Sequence, residues 1–293
     1  MRGLLTGIAI GLAVAGLGVM AWLRWLDLQV GDRLSRRYDV ALERIRVPRD
    51  SASLAEGGRL AHVLGCHGCH GQQLQGRVIV DEPSVMRLVA PNLAPLLPAY
   101  SDAELARLIR HGVRRDGTGV LVMPAAAFHH LREADVARLV AYLRTVPPAA
   151  NAPGRSELRL PGKLAVLKGA LQPGAASIDH RAPRADASGE GEGAGTARGA
   201  YLVRVACTEC HGADLRGALD APSLLGANGY GAAEFVSLLL DGRSRDGRDL
   251  PTMGKTARER FVRLTKEEIA GIHAYLVSLS AAPAVPRFPE RAR

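Results

Sequence analysis

A Cys-x-x-Cys-His motif occurs twice in this chain of 293 residues, at 66–70 and, 141 positions later, at 207–211, and the two copies use all four cysteines. At this spacing two thiols one helical turn apart can bond to the vinyl groups of one porphyrin, while the adjacent His reaches the iron. The sequence therefore predicts two covalently bound haem c groups. The predicted attachment and axial residues are Cys66, Cys69, His70, Cys207, Cys210 and His211.

Three other uses of paired cysteines fit the motif less well. A zinc site shared by both pairs would enclose 137 residues (70–206), far more than zinc modules use, and would leave the repeated His without a role. A thioredoxin-like redox pair needs a strand and a helix that the flanking sequence does not provide. A disulfide within each pair stays chemically open in an oxidising compartment.

The composition and charge of the chain limit the classes of partner that it can bind. The formal charge is +9 from 38 basic and 29 acidic residues, and only four of the basic residues are lysines. No basic run is interleaved with aromatic residues, which argues against a nucleic-acid partner. The arginine-rich surface is either solvated or a docking face for an acidic redox partner or anionic lipid.

The N-terminal segment predicts a membrane anchor. Residues 3–23 carry no charge and are long enough to span a bilayer, and Trp22 and Trp25 follow where an interfacial aromatic belt would lie. A cleaved signal peptide is the alternative, because 13–15 offer a small-x-small site, although the apolar run continues well beyond it. We expect an anchor or signal over 1–26 and a polar, partly helical stalk over 27–50.

The charges around this segment conflict with the haem prediction. One arginine and the amino terminus precede the span, whereas five arginines follow it by residue 44, so the positive-inside rule would keep the body in the cytoplasm. Haem c is attached outside the cytoplasmic membrane in the families that use it, and two complete motifs are more specific than a charge bias. We therefore expect the haem domains on the periplasmic side.

The repeat extends beyond the cysteines and predicts two all-α domains. Gly58 matches Gly199 at the same offset, and the segment 100–123 matches 230–253 at an offset of 130. The domains are expected at 51–148 and 196–282, joined by a linker at 149–195 and followed by a tail at 283–293. Their helices are expected near 54–68, 101–112 and 131–145, and near 196–209, 231–241 and 265–279, with capping boxes at Ser101-x-x-Glu104 and Thr265-x-x-Glu268. In the linker, Leu158 to Leu171 is expected to pack on a domain, and 187–193 to be flexible.

Two methionines are the predicted sixth ligands of the irons. Of the five methionines only Met123 and Met253 correspond in the repeat, 53 and 42 residues after their axial His, and both are expected in loops before the closing helix. A thioether ligand favours ferrous iron and raises the reduction potential. His111, His129 and His130 are alternatives in the first domain. His67, inside the motif, is expected to be a solvent-facing spacer.

Each copy resembles a class I cytochrome c domain, and the tandem with its anchor is similar to di-haem membrane-bound c-type cytochromes. The resemblance rests on the two Cys-x-x-Cys-His motifs, Ala90-Pro91-Asn92-Leu93, Ala221-Pro222-Ser223-Leu224, Met123-Pro124, Thr252-Met253-Gly254 and the closing Ala141-Tyr142-Leu143 and Ala274-Tyr275-Leu276. It implies that the carbonyls of Pro91 and Pro222 accept a hydrogen bond from the axial His. It also implies an insertion around 76–88 in the first domain, and an opening helix that crosses the closing one at Gly58 and Gly199.

The leading functional hypothesis is electron transfer between membrane or periplasmic redox proteins, because two six-coordinate irons leave no place for a substrate. Such a carrier acts alone or as the cytochrome subunit of a dehydrogenase or terminal oxidase. The alternative is a haem enzyme, a di-haem peroxidase or a sulfur-compound oxidase, with one open iron. No catalytic residue is predicted.

Overall fold

The computed structural model describes residues 2–182, 195–218 and 221–281, and gives no side-chain description of Ala281. The predicted flexible stretch at 187–193 and the predicted tail at 283–293 lie outside these ranges. The architecture is all-α, as predicted, after a long N-terminal helix. The helices are α1 (Arg2–Leu34), α2 (Ser51–Val63), α3 (Cys66–His70), α4 (Asp102–His111), α5 (Ala125–Phe128), α6 (Glu133–Leu143), α7 (Leu160–Leu167), α8 (Thr196–Ala206), α9 (Thr208–His211), α10 (Ala232–Asp241), α11 (Pro251–Glu259) and α12 (Lys266–Ala281).

A small sheet occupies the expected insertion in the first half. Strands β1 (Arg77–Glu82) and β2 (Met86–Ala90) pair antiparallel, and the short strand β3 (Glu157–Leu158) adds to the edge of β2. The second half has no corresponding strands among its described residues. The extra residues between the first motif and Pro91 thus form a β-hairpin, which brings the chain back close to the start of β1.

Both predicted capping boxes are present. The Ser101 hydroxyl accepts the Glu104 amide at 3.2 Å, and the Glu104 carboxylate accepts the Ser101 amide at 2.8 Å. Thr265 and Glu268 make the same pair of bonds, at 3.2 and 3.0 Å. Each box pairs amides that the first helical turn leaves without backbone partners, so these residues define where α4 and α12 begin.

The opening and closing helices of each half cross at a glycine. Gly58 lies against Tyr142 as expected, since a Cβ there would be 3.2 Å from the Tyr142 ring, but the tightest approach in the first half is one residue earlier. A Cβ on Gly199 would lie 2.0 Å from the Gly271 carbonyl, and a Cβ on Gly57, not Gly58, would lie 2.0 Å from the Arg138 carbonyl. Gly57 and Gly199 are 142 positions apart, whereas the cysteines are 141 apart. The opening helices therefore correspond at an offset one residue larger than the offset of the motifs. An alignment on the cysteines could not show this shift.

The linker segment at 158–171 packs against α1. Leu26 and Val30 of α1 are buried against Val166 of α7, and Arg33 donates to the Leu167 carbonyl at 2.6 Å. The apolar part of α1 that precedes this contact is exposed, with an 18-residue window of mean hydropathy 2.2. One end of α1 is thus attached to the body of the protein, and the other offers an apolar surface long enough to cross a bilayer.

The chain between α1 and α2 runs over the first half. Val40 is buried with Val113 and Ala175, and Glu43 forms an ion pair with Arg110, whose side chain is 2% exposed. Arg110 also donates to the Leu131 carbonyl at 3.1 and 2.8 Å, so the buried guanidinium has acceptors on two sides. The part of the predicted stalk beyond Leu34 is therefore a packed extended segment rather than a free spacer.

The two halves share one hydrophobic core and a polar interface. Glu268, at the start of α12, accepts two bonds from Arg59 of α2, at 2.8 and 3.0 Å, and two from Arg198 of α8, at 2.9 and 3.2 Å. Asp135, at the start of α6, accepts the Tyr201 hydroxyl at 2.6 Å. Positions 135 and 268 correspond in the repeat, as do positions 59 and 201. The opening helix of each half therefore bonds to the closing helix of the other half, in an approximately twofold arrangement.

Candidate haem-binding sites

Each Cys-x-x-Cys-His motif forms a helix of about one turn that follows an opening helix closely. In the first copy Gly65, at φ 81°, turns the chain between α2 and α3; in the second, Cys207 alone separates α8 from α9. No disulfide joins any of the four cysteines in this structure. No three His, Cys, Asp or Glu side chains within 2–182, 195–218 and 221–281 are grouped as a metal cluster would require.

An unusual backbone turn follows both motifs. Leu74 and Leu215 have φ of 55° and 60°, and they are the non-glycine residues with positive φ in the described chain. Left-handed backbone is costly for a side chain such as leucine, and such strain is found where the surrounding structure requires it. The amides of Gly76 and Gly217 then bond to the His70 and His211 carbonyls at 2.7 and 3.0 Å, which closes the turn.

These turns bring a proline carbonyl to each motif histidine. The His70 Nδ1 lies 2.9 Å from the Pro91 oxygen, and the His211 Nδ1 lies 2.7 Å from the Pro222 oxygen. A carbonyl can only accept, so Nδ1 carries the proton and the Nε2 lone pair is available to a metal. A Cβ on Gly76 would lie 2.5 Å from the Asn92 amide, which shows how closely the proline segment approaches.

Burial sets the protonation of the motif residues. It lowers the pKa of His70, against a smaller opposing effect of the Pro91 bond, so the imidazole stays neutral as iron ligation requires. It raises the pKa of the Cys66 and Cys207 thiols to about 12. These sulfur atoms face an apolar interior, a suitable surrounding for the edge of a porphyrin.

His67 is buried, so its prediction as a solvent-facing spacer was wrong. Its exposed fraction is 3%, its Nδ1 lies 3.0 Å from the Gln72 carbonyl, and its Nε2 lies 3.2 Å from the Tyr142 hydroxyl. Its ring stacks on His62, with centroids 3.9 Å apart. The short helix turns this side chain back between α2 and α6, where it links the motif to both crossing helices.

The two matched methionines follow equivalent hairpins. Isolated bridges pair Val113 with Gly119 and Arg243 with Asp249, and a methionine comes four residues after each hairpin. Both methionines are partly buried and pack against the shared core. Met123 lies in a loop as expected, but Met253 lies in the first turn of α11, because Pro251 begins a helix there.

The other candidate ligands of the first half form a group of histidines. His111 is 4% exposed, its Nδ1 lies 2.9 Å from the His180 Nδ1, and its ring packs edge-on against His129. His130 packs in turn against His129. The structure therefore places His111 and His129 in contact with other histidines of the same half.

Two family profiles match this chain. Residues 196–280 match the family described as Cytochrome c, and residues 52–143 match the family described as Cytochrome C oxidase, cbb3-type, subunit III. The chain is a c-type cytochrome. Its two matched regions each contain one motif helix with its opening and closing helices.

Known relatives are subunits of dehydrogenases, and some are cytochrome subunits by name. The fructose dehydrogenase cytochrome subunit of Gluconobacter japonicus is 26% identical over 263 residues, covering 78% of this chain and 53% of the relative. A nicotinate dehydrogenase subunit of Pseudomonas putida is 27% identical, over 66% of this chain and 16% of the relative. The cytochrome c subunit of the quinone alcohol dehydrogenase of Komagataeibacter europaeus is 28% identical, over 38% and 26%.

The chain spans about half the length of the fructose dehydrogenase subunit and less of the other two. Covalently bound haem c is implied by the cytochrome c domains, and an electron-transfer role is supported by the relatives.

Proposed function

We propose that this cytochrome carries two haem c groups and passes electrons between membrane-associated redox proteins, as the cytochrome subunit of a dehydrogenase complex. The observation that carries the proposal is the repeated contact between a motif histidine and a proline carbonyl, at 2.9 and 2.7 Å. A single functional site would not require the same strained turn, motif helix and histidine tautomer twice in one chain.

The proposed first site uses Cys66 and Cys69 for attachment, His70 and Met123 as axial ligands, and Pro91 as the hydrogen-bond acceptor. Its proposed domain covers 51–148. The donor set fits a haem, because buried neutral imidazole and thioether are the ligands of low-spin c-type iron. When bound, the haem supplies reversible one-electron chemistry.

The proposed second site uses Cys207, Cys210, His211 and Met253, with Pro222 as the acceptor. Its proposed domain covers 196–282, and residues 149–195 join the two domains. With a histidine and a methionine both ligating each iron, neither site would offer a position to a substrate, which favours electron transfer over catalysis.

We propose that α1 anchors the chain in the cytoplasmic membrane with the haem domains on the periplasmic side. The exposed apolar part of α1 supports the anchor, and the packing of its last turns on α7 supports retention rather than cleavage. The relatives named as dehydrogenase subunits support a complex in which this chain accepts electrons from a catalytic subunit.

The haem count tests the proposal. Purified full-length protein made with a haem c attachment system should carry two haems per chain, measured as the pyridine haemochrome against protein mass. Replacing Cys66 and Cys69 by Ala should leave one haem, and so should replacing Cys207 and Cys210. A wild-type chain with one haem would contradict the two-site proposal.

Purification tests the subunit role separately. Protein extracted from its native membrane in mild detergent should co-purify with a dehydrogenase subunit that reduces its haems when the substrate is added. Isolation as a single species from membranes of the native host, with no reductant partner, would argue for a free-standing carrier.

A further inference from the structure

Arg260 lies between the two haem-attachment motifs. It follows α11, its Nε donates to the Val63 carbonyl at 3.0 Å, and its Nη1 lies 3.3 Å from a Glu209 carboxylate oxygen. Val63 is the last residue of α2, three positions before the first cysteine of one motif, and Glu209 lies between the two cysteines of the other. One side chain thus bonds to both motif regions, which come from opposite halves of the chain.

Arg260 lies beside both attachment motifs, because its carboxylate partner Glu209 directly precedes Cys210. Its Nε and Cζ atoms lie 3.0 Å from the position that a Cβ on Gly65 would take. The positive charge is therefore within electrostatic reach of both places where a porphyrin edge would be attached.

This charge is only partly neutralised. The Arg260 side chain is 13% exposed, whereas its carboxylate partner Glu209 is 33% exposed and therefore better screened by water. The Arg260 Nη2 is buried and has no hydrogen-bond acceptor within the described parts of the chain. A charge at a position shielded from water acts more strongly on its surroundings than one on the surface.

Arg260 is also a difference between the two halves. At the offset that aligns Phe128 with Phe261, the position corresponding to Arg260 is Ala127. Helix α5, which contains Ala127, packs against α8 and α9, and the turn that follows Arg260 packs against α2, but α5 brings no charge. The interface between the motifs is thus approximately symmetric in backbone and asymmetric in charge, with one arginine serving both sides.

We infer that Arg260 is a positioning residue shared by the two haems: it holds the attachment motifs together and raises both reduction potentials with a single charge. This inference rests on the proposed function, in which each motif carries one haem. Ferric haem has one more positive charge than ferrous haem, so a nearby guanidinium favours the ferrous form. Loss of one side chain should therefore lower two potentials together.

Potentiometric titration of full-length holoprotein, followed in the haem absorption bands, tests the inference. In Arg260→Gln both midpoint potentials should fall, each by up to about 59 mV. For one electron this shift is a tenfold change in the ferrous-to-ferric ratio at a fixed potential. In Arg260→Lys, which keeps the charge but not the forked hydrogen bonds, both should move by less than half as much. Glu209→Gln should raise both potentials, because it leaves Arg260 without its carboxylate.

Arg248→Gln is the matched control, since Arg248 is also ion-paired, to Asp246 at 2.5 Å, but its side chain is 73% exposed. Its potentials should equal those of the wild type. Unchanged potentials in Arg260→Gln with both haems present, or a shift at one haem only, would overturn the inference. If Arg260→Gln does not accumulate, Glu209→Gln decides by the sign of its shift. A wild-type haem count below two would instead reject the proposed function.

Discussion

Glu268 should be the most sensitive point of the interface between the two cytochrome c domains. The carboxylate is 8% exposed and accepts four bonds of 2.8 to 3.2 Å from Arg59 and Arg198. Glu268→Gln keeps the capping box of α12, because Gln also serves at that position, but removes the charge between the two guanidinium groups. The substitution therefore tests the interdomain ion pairs without removing the helix cap.

The expected cost follows from burial and from the remaining partners. Removing one member of a buried ion pair costs about 3–5 kcal/mol. Arg59 keeps its ion pair with Glu56, at 2.7 Å, and both arginines are partly exposed, so the lower end of this range applies. About 3 kcal/mol corresponds to a Tm lowered by about 6 to 12 °C if the two domains unfold as one unit of about 200 residues.

Thermal unfolding of holoprotein in detergent, followed by circular dichroism at pH 7, measures this change. The control is Glu267→Gln, because Glu267 is the exposed neighbour in the same helical turn and should change the Tm little. Although burial alone would raise it, Arg59 and the other partners lower the pKa of Glu268, so its contribution to stability is present above its unfolded pKa and lost as pH falls through the folded value. A Glu268→Gln protein as stable as the control would refute the interface.

Three further outcomes are expected. Met123→Leu and Met253→Leu should each remove half of the Met-to-iron charge-transfer absorbance and lower one midpoint potential, while Met86→Leu should do neither. Gly57→Ala should lower the free energy of unfolding by about 1–3 kcal/mol in chemical denaturation, because its Cβ would lie 2.0 Å from a carbonyl of α6. Burial, with a smaller effect of a neighbouring histidine, lowers the pKa of His62 from 6.5 to about 4, so stability should fall as pH drops through this interval, and His62→Gln should show a shallower dependence.

The helical architecture and the positions of the two motifs could be predicted from the sequence, because both depend on residues that are close together in the chain. The capping boxes at Ser101 and Thr265 fix helix starts through bonds within four residues, and the structure forms both. The burial of His67 was missed because it depends on Tyr142, 75 residues away. The left-handed Leu74 and Leu215 were missed for a similar reason, since leucine carries no local signal for positive φ.

The relation between the two domains was the least predictable part. Arg260 and Glu209 are ordinary surface residue types, and nothing in their local sequence marks them as partners across the chain. A signal was nevertheless present: Glu268 corresponds to Asp135 in the repeat, so both closing helices carry a carboxylate in their first turn. That these two acidic residues bond to the opening helix of the other domain can be seen only in the folded chain.

Both irons should be closed by a protein ligand on each face and should serve electron transfer. Addition of carbon monoxide to the fully reduced wild-type protein, followed in the Soret band, tests this expectation most directly. Little or no binding within minutes is expected at either haem at neutral pH. Rapid binding of one carbon monoxide per chain would contradict it and would indicate a haem enzyme with one open iron.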